Sequence, residues 1–403
     1  MTTDLFADVP ESVRLKKLLP LPSPLSEPEL LEELEQQSEK NSVAPSFLGA
    51  GSYHHFIPSA VKHIVSRSEF YTAYTPYQAE ASQGTLQTIY EYQSMVCELT
   101  GMDVANASMY DGATALAEAA FMACRITGRK ELVVSSAVHP NYRQVLKTYC
   151  NAADLKLIEA PFNLKTGLTT DAWRLTTDSA CVILQQPNFF GNIETVSGLA
   201  EKIHSAGALF IVSADPISLG LLKAPGNYGA DIVVGEGQAL GNPQSFGGPG
   251  LGIFAARKEF LRQMPGRIVG ATTDIEGKRG FVLTLATREQ HIRRERATSN
   301  ICSNEALCAL AACVYLSLMG KNGLRKVAEL CLQKSNYLKK SLGDKVLWPN
   351  TPGFKEFVVK TGKKVGLDLG AHYPELKGAG VICVTELVKK AVLDDLVRGL
   401  FAA

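Results

Sequence analysis

Between residues 105 and 260 short apolar runs alternate with stretches of helical period, and this alternation limits the possible folds more than any other feature of the chain. The apolar runs are Glu131-Leu-Val-Val-Ser, Leu155-Lys-Leu-Ile-Glu, Ala180-Cys-Val-Ile-Leu-Gln, Leu209-Phe-Ile-Val-Ser, Asp231-Ile-Val-Val and Gly252-Ile-Phe-Ala. Helical periods fall between them, as at Asn141 to Cys150 and Gly198 to Ala206. Nearly continuous apolar strands separated by helices belong to a parallel sheet covered on both faces, so the chain is α/β.

The flanking segments read differently. Pro20, Pro22 and Pro24 forbid a regular helix early on, so residues 1 to 45 form an extended arm. Its one helix is capped at Ser26, has Pro28 in the first turn and shows Leu30, Leu31 and Leu34 on one face. Glu305 to Leu342 predicts long helices broken near Gly320 and Gly323. Beyond Trp348-Pro-Asn-Thr-Pro-Gly, the runs Phe354 to Val359 and Gly380 to Val384, with a last helix over 386–400, predict a small α+β domain. A chain of 403 residues exceeds what one core usually supports. The predicted division is an arm and helix over 1–60, a large α/β domain over 61–320 and a small domain over 321–403.

Several function classes are disfavoured. The net charge of +1 gives no global field for nucleic acid or an anionic membrane. The acidic start lacks a positive region and an apolar run, so no secretory signal is expected. The most apolar stretch, Ala306 to Gly320, is shorter than the roughly 18 residues of a membrane span and reads as a buried helix. None of the nine cysteines are spaced C-x-x-C, so free thiols in a reducing cytoplasm are expected, with no metal site.

Ligands of open parallel sheets bind beyond the carboxyl ends of the strands. Asp215 follows such a strand. It suits either pairing with a protonated ring nitrogen of pyridoxal phosphate or a loop cap before Pro216. Asp111-Gly-Ala-Thr114 opens a helix, where free amides hold phosphate or Asp111 simply caps. Gly241 to Gly252 holds five glycines in twelve positions, implying close backbone approach or positive φ. A pyridoxal enzyme needs an amine just before such a loop. The run here is Gly235-Glu-Gly-Gln-Ala-Leu-Gly, and Lys223 is the one lysine between Asp215 and Gly252. Arg288, His291, Arg293, Arg294 and Arg296 form either an anion-binding face or a solvated helix, and Thr298-Ser-Asn300 reads also as a cap to the next helix. The segment Tyr71 to Gly84 packs three tyrosines and two glutamines into fourteen residues, a composition suited to interfaces and site mouths.

These segments together resemble the P-protein of the glycine cleavage system. The resemblance rests on Phe47-Leu-Gly-Ala-Gly-Ser-Tyr-His-His-Phe-Ile-Pro, Tyr74-Thr-Pro-Tyr-Gln-Ala-Glu-Ala-Ser-Gln-Gly, Asn106-Ala-Ser-Met-Tyr-Asp-Gly-Ala-Thr-Ala, Ser245-Phe-Gly-Gly-Pro and Arg293-Arg-Glu-Arg-Ala-Thr-Ser-Asn-Ile-Cys. It implies a fold-type-I transferase-like architecture, with a mostly parallel central sheet in the large domain and a small C-terminal α+β domain. It also implies that an alpha and a beta chain pair, decarboxylate glycine and pass the aminomethyl group to the lipoyl arm of the H-protein. Pyridoxal phosphate is then held by the beta chain, because the lysine position falls at about Ala239 here. Asp215, Asp111 and Thr114 become vestigial cofactor residues. Tyr74, Tyr77, Gln78, His291, Arg293, Arg294, Thr298 and Asn300 become residues lent to the partner's site. Between Phe357 and Gly366 fewer residues remain than the family usually has, so the small domain reads as shortened. A free-standing aminotransferase-like homodimer and an inert scaffold are the competing readings, and the missing lysine disfavours the former.

Overall fold

The structure, a computed structural model, describes residues 4–42, 44–170 and 173–401. Two compact units are present, Met1–Ser46 and Phe47–Ala403. In the first, helix α1 (Glu27–Glu39) starts at a Ser26–Glu29 capping box, with Pro28 in the first turn, and buries no residue. The predicted apolar face of Leu30, Leu31 and Leu34 is exposed.

The second unit begins with α2 (Ser59–Val65), α3 (Ser68–Tyr71), α4 (Gln83–Thr100), β1 (Val104–Ala105), α5 (Gly112–Thr127), β2 (Glu131–Ser135) and α6 (Pro140–Ala152). It continues with β3 (Lys156–Ala160), β4 (Ser179–Gln186), α7 (Leu199–Ser205), β5 (Leu209–Ala214), β6 (Ile232–Glu236) and β7 (Gly252–Ala256). These strands form a seven-stranded sheet in the order β1-β7-β6-β5-β4-β2-β3. The five strands β2 to β6 run parallel, β7 pairs antiparallel to β6, and β1 pairs antiparallel to β7 at that edge. Alternate residues of each strand face opposite layers. Val182, Phe210, Val212 and Val233 enter one core, and Cys181, Ile183, Ile211 and Ile232 enter the other. The second core is closed by α5, whose fully buried alanines let the helix lie close against the sheet.

Next come a hairpin, β8 (Ile268–Thr273) with β9 (Arg279–Thr284), and the short α8 (Gln290–Arg293). The long α9 (Ala306–Leu342) is broken at Gly320, where φ is 54° and ψ −171°. Its first half packs in the core of the central sheet, as predicted for a buried helix, and so do Leu324 to Cys331 beyond the break, while its last turns join another core. There Leu338 and Leu342 meet β10 (Glu356–Val359), β12 (Gly380–Cys383) and α10 (Lys390–Phe401), with β11 (Leu367–Asp368) on the far side of β12. By length and composition α9 is long and apolar enough to cross a membrane, but many of its residues are buried against the sheet and α10. All nine cysteines are free, and Cys302 is exposed.

Candidate functional site

Asp215 sits one residue past β5, where the sheet topology places ligands. Its Oδ1 accepts from the Ile217 amide at 3.0 Å, and its Oδ2 lies 2.8 Å from Nζ of Lys355. Lys355 immediately precedes β10 and is 1% exposed. An ammonium has three donors and no acceptor, and each donor direction here meets a partner. The partners are the Asp215 carboxylate, Nε2 of His55 at 3.3 Å and the face of Tyr53, whose ring centroid is 3.4 Å away. Because Lys355 only donates, Nε2 of His55 accepts, and Nδ1–H donates to Glu386 Oε2 at 2.6 Å. Burial works against the charge of Lys355, but Asp215 holds the ammonium above the usual lysine range. Burial and the neighbouring ammonium hold His55 below its ordinary value, so its ring is neutral at pH 7. Tyr53 donates to Glu356 Oε2 at 2.8 Å, and the Ala50 amide donates to Glu356 Oε1 at 2.6 Å.

The opposite end of the same cradle is the start of α5. Asp111 caps it by accepting from the Thr114 amide at 2.7 Å, and the Thr114 hydroxyl also points back to Asp111. The Gly112 amide donates to Glu236 Oε2 at 2.9 Å, while Gln238 and Leu251 donate to Glu236 Oε1 at 2.9 and 2.8 Å. Burial raises the Glu236 carboxyl to about 7 despite these three donors, with Asp111 adding repulsion. A Cβ on Gly112 would meet the Tyr142 hydroxyl at 2.4 Å, so only glycine admits this approach. Tyr142 stacks on His139 at 4.8 Å between centroids. His139 accepts from the Asn141 amide and donates through Nε2 to the Ala50 carbonyl, and burial lowers it to about 4. Asp111, His139, Tyr142, Glu236 and Gln238 line a cavity of about 360 Å³.

Pyridoxal phosphate does not fit this chain's own cradle. Ala239, at about the position where the resemblance would put the lysine, is buried and carries no amine, and Lys223, in the loop after β5, is exposed. Asp215 is already paired, and the Glu236 carboxylate stands at the amides a phosphate would use. The loop over 241–250 has the predicted positive φ at Gly241, Gly247 and Gly248, and also at Ser245 and Phe246.

A second cluster joins the tyrosine segment to the charged one. The rings of Tyr77 and His291 meet edge-on at 5.6 Å. Arg267, 5% exposed, lies over Tyr77, donates to its hydroxyl at 3.3 Å and approaches Glu289 at 3.5 Å. His291 Nδ1 is 3.7 Å from the same Glu289 carboxylate. Tyr74, Gln78, Arg293, Arg294 and Asn300 are exposed, and Thr298 is half-buried. Asn300 accepts from Gln290 at 3.3 Å, and Arg293 donates to the Thr287 carbonyl. The solvated-helix reading of residues 288–296 is corrected. α8 is one turn long, and Arg294, at φ 52°, ends it. Thr298 and Asn300 do not cap a helix either, because α9 starts at Ala306. The intervening segment is held extended by Ser303, Asn304 and Glu305, which contact Arg267, Ala107 and Ser108.

Residues 2–397 match the glycine cleavage system P-protein family. The chain belongs to that family. It is 55% identical to the probable glycine dehydrogenase (decarboxylating) subunit 1 of Desulforamulus reducens, covering 100% of this chain and 95% of that protein. The same-named protein of Moorella thermoacetica is 54% identical, covering 99% and 95%. The first alignment spans 429 residues against 403 here, so this P-protein chain lacks residues that its relative has. A crystal structure of glycine decarboxylase (P-protein) of the glycine cleavage system, in inhibitor-bound form, superposes with a TM-score of 0.90 at 43% identity, covering 99% and 94%. A Lactobacillus brevis glutamate decarboxylase shares the fold at a TM-score of 0.65 and 13% identity. The fold is therefore that of fold-type-I enzymes.

Sequence reasoning about this P-protein chain missed Tyr53, His55, His139, Glu236, Arg267 and Lys355. His139 was findable, since it lies four residues past β2 at the same end of the sheet as Asp215. Lys355 gave a fainter signal, a charge inside Gly353-Phe-Lys-Glu-Phe-Val-Val. Among the described residues His55, Cys331 and Glu386 are grouped closely enough to suggest metal ligands. The Lys355 ammonium on His55 opposes a cation there.

Proposed function

We propose that this chain is the lysine-free subunit of a two-chain glycine dehydrogenase (aminomethyl-transferring). With a beta subunit that holds pyridoxal phosphate, it decarboxylates glycine, releases carbon dioxide and loads the aminomethyl group onto the lipoyl arm of the H-protein in the cytoplasm. The observation that carries this reading is Lys355 paired with Asp215 while Ala239 stands at the lysine position. The relatives' name, subunit 1, supports a partner chain. In the first unit, none of residues 4–42 is buried, so its leucines have no core of their own. Obligate interfaces typically exceed 2,000 Å² and cover such apolar surface.

Within the complex, pyridoxal phosphate supplies an electron sink when bound in the partner. This chain lends the mouth of that site. Tyr77 and His291, fixed by buried Arg267, form its firm part, with Tyr74 and Gln78 on the same segment. Arg293, Arg294, Thr298 and Asn300 offer donors to a carboxylate or phosphate. Asp215, Asp111 and Thr114 keep structural work only. Residues 1–60 act as an arm and helix, residues 61–320 as the large domain, and residues 321–403 as the small domain, shortened between Phe357 and Gly366. The experiment is coexpression of the tagged chain with a lysine-bearing homologue. Copurification, with release of carbon dioxide from glycine only when both chains and lipoylated H-protein are present, is the expected result. Turnover by this chain without a partner overturns the reading.

A further inference from the structure

The abandoned cradle holds two of the chain's own ionisable groups. Asp215 would accept from a cationic ring nitrogen, and the Lys355 ammonium stands there instead at 2.8 Å. The start of α5 would offer amides to a phosphate, and the Glu236 carboxylate takes the Gly112 amide at 2.9 Å. The two groups come from different parts of the fold, Lys355 from the edge of the small sheet and Glu236 from the end of β6. Each, when ionised, has the sign of the cofactor group it replaces.

We infer that Lys355 and Glu236 form a built-in substitute for the cofactor, which closes this chain's own site to pyridoxal phosphate and ties the small sheet to the central one.

The physical need is plain. A carboxylate left alone at a buried strand end is costly, and a helix start without acceptors leaves unsatisfied amides. A chain that lost only its lysine would keep both defects and a residual affinity for the free cofactor. Here the Lys355 ammonium has all three donors used, by Asp215, His55 and the Tyr53 face. His55 passes the link to Glu386, beyond β12, whose backbone carbonyl also accepts from Lys334 of α9. Tyr53 returns it to Glu356 of β10. Segment 50–56 is thereby held between the two sheets, and a cofactor could enter only by breaking the Lys355 pair. The inference rests on the proposed function, in which the partner chain carries the cofactor, and its two readouts fail independently of the activity that tests that reading.

The test uses the full chain and two readouts, neither of them activity. In thermal melting, Lys355→Met leaves Asp215 buried and unpaired and should lower the melting temperature by roughly 5 °C or more. Adding Asp215→Asn should recover most of that loss, because the pair fails as a unit. Additive losses would overturn the inference. The second readout is titration with pyridoxamine 5′-phosphate, which needs no lysine to bind. The natural chain should show no saturable binding, and Lys355→Met with Glu236→Gln should bind at least about tenfold more tightly than the natural chain. Equal binding by both would overturn it. If the variants fail to fold, amine acetylation of the natural chain decides. Lys223 should react readily and Lys355 should stay unmodified until the chain unfolds. Equal rates would show that the Lys355 pair does not close the site.

Discussion

Nδ1 of His55 lies 2.6 Å from Oε2 of Glu386, with both side chains almost wholly buried. The imidazole is neutral at pH 7, so this is a neutral donor on a carboxylate rather than an ion pair. Burial alone would raise Glu386. The His55 hydrogen bond, the attraction of the His55 ring once it is protonated in acid, and the Phe56 amide outweigh it and bring the carboxyl down to about 2.

That balance fixes an acid dependence. Glu386 has a lower pKa folded than unfolded, so its contribution is present above about 4.5 and is lost as pH falls towards 2. Glu386→Gln should cost about 2–3 kcal/mol at pH 7, the range for losing a hydrogen bond to a charged group. The gap between the two proteins in denaturant unfolding should narrow steadily below pH 4.5. A gap that widens on acidification would refute this account of the pair.

Glu236 predicts the opposite sign. Its folded carboxyl titrates near 7 and its unfolded one near 4.5, so the native state holds the proton longer and stability falls as pH rises between those values. Glu236→Gln should flatten that slope. Above pH 7 it should be more stable than the natural chain by something on the order of 2–3 kcal/mol. Unfolding curves at pH 5 and pH 8 check it, and an unchanged slope counts against the assignment.

Gly112→Ala should be severe for a surface-free reason. Its Cβ would meet the Tyr142 hydroxyl at 2.4 Å and the Glu236 amide nitrogen at 3.0 Å. A loss of about 1–3 kcal/mol is expected from overpacking. Pairing it with Tyr142→Phe, which removes the clashing hydroxyl, should restore part of the loss in the same melting assay.

The polar cluster gives a functional prediction. In the reconstituted complex, Ala at Tyr77, His291, Arg293, Arg294, Thr298 or Asn300 should lower glycine turnover about tenfold wherever the side chain reaches the partner's site, or on the order of 1.4 kcal/mol. If every variant assembles and keeps full activity, the cluster serves only packing.

The central sheet was readable because its signal is local. Strands β2 and β4 to β7 are apolar runs between helical periods, and their edges lie within about a residue or two of those predicted. The strand-end position of Asp215 was readable because it directly follows an apolar run. The hairpin β8–β9 was missed since its buried residues, such as Val269 and Phe281, are sparse and its far end is exposed. β1 is two residues long and exists only by pairing with β7. The role of Lys355 was invisible for a deeper reason. Asp215 and Lys355 stand 140 positions apart, and no local pattern says that a strand-edge lysine turns inward onto a carboxylate. The same holds for Arg267, which reaches Tyr77 across 190 positions.

The most direct test of a lysine-free cradle is chemical mapping of the cofactor. The complex is incubated with pyridoxal phosphate, reduced with borohydride, digested and sequenced by mass. The account predicts a stoichiometric pyridoxyl-lysine on the partner chain and at most scattered, substoichiometric labelling of exposed lysines here, with Lys355 unlabelled. One stoichiometric pyridoxyl-lysine on this chain, at Lys355 or at Lys223, would contradict it.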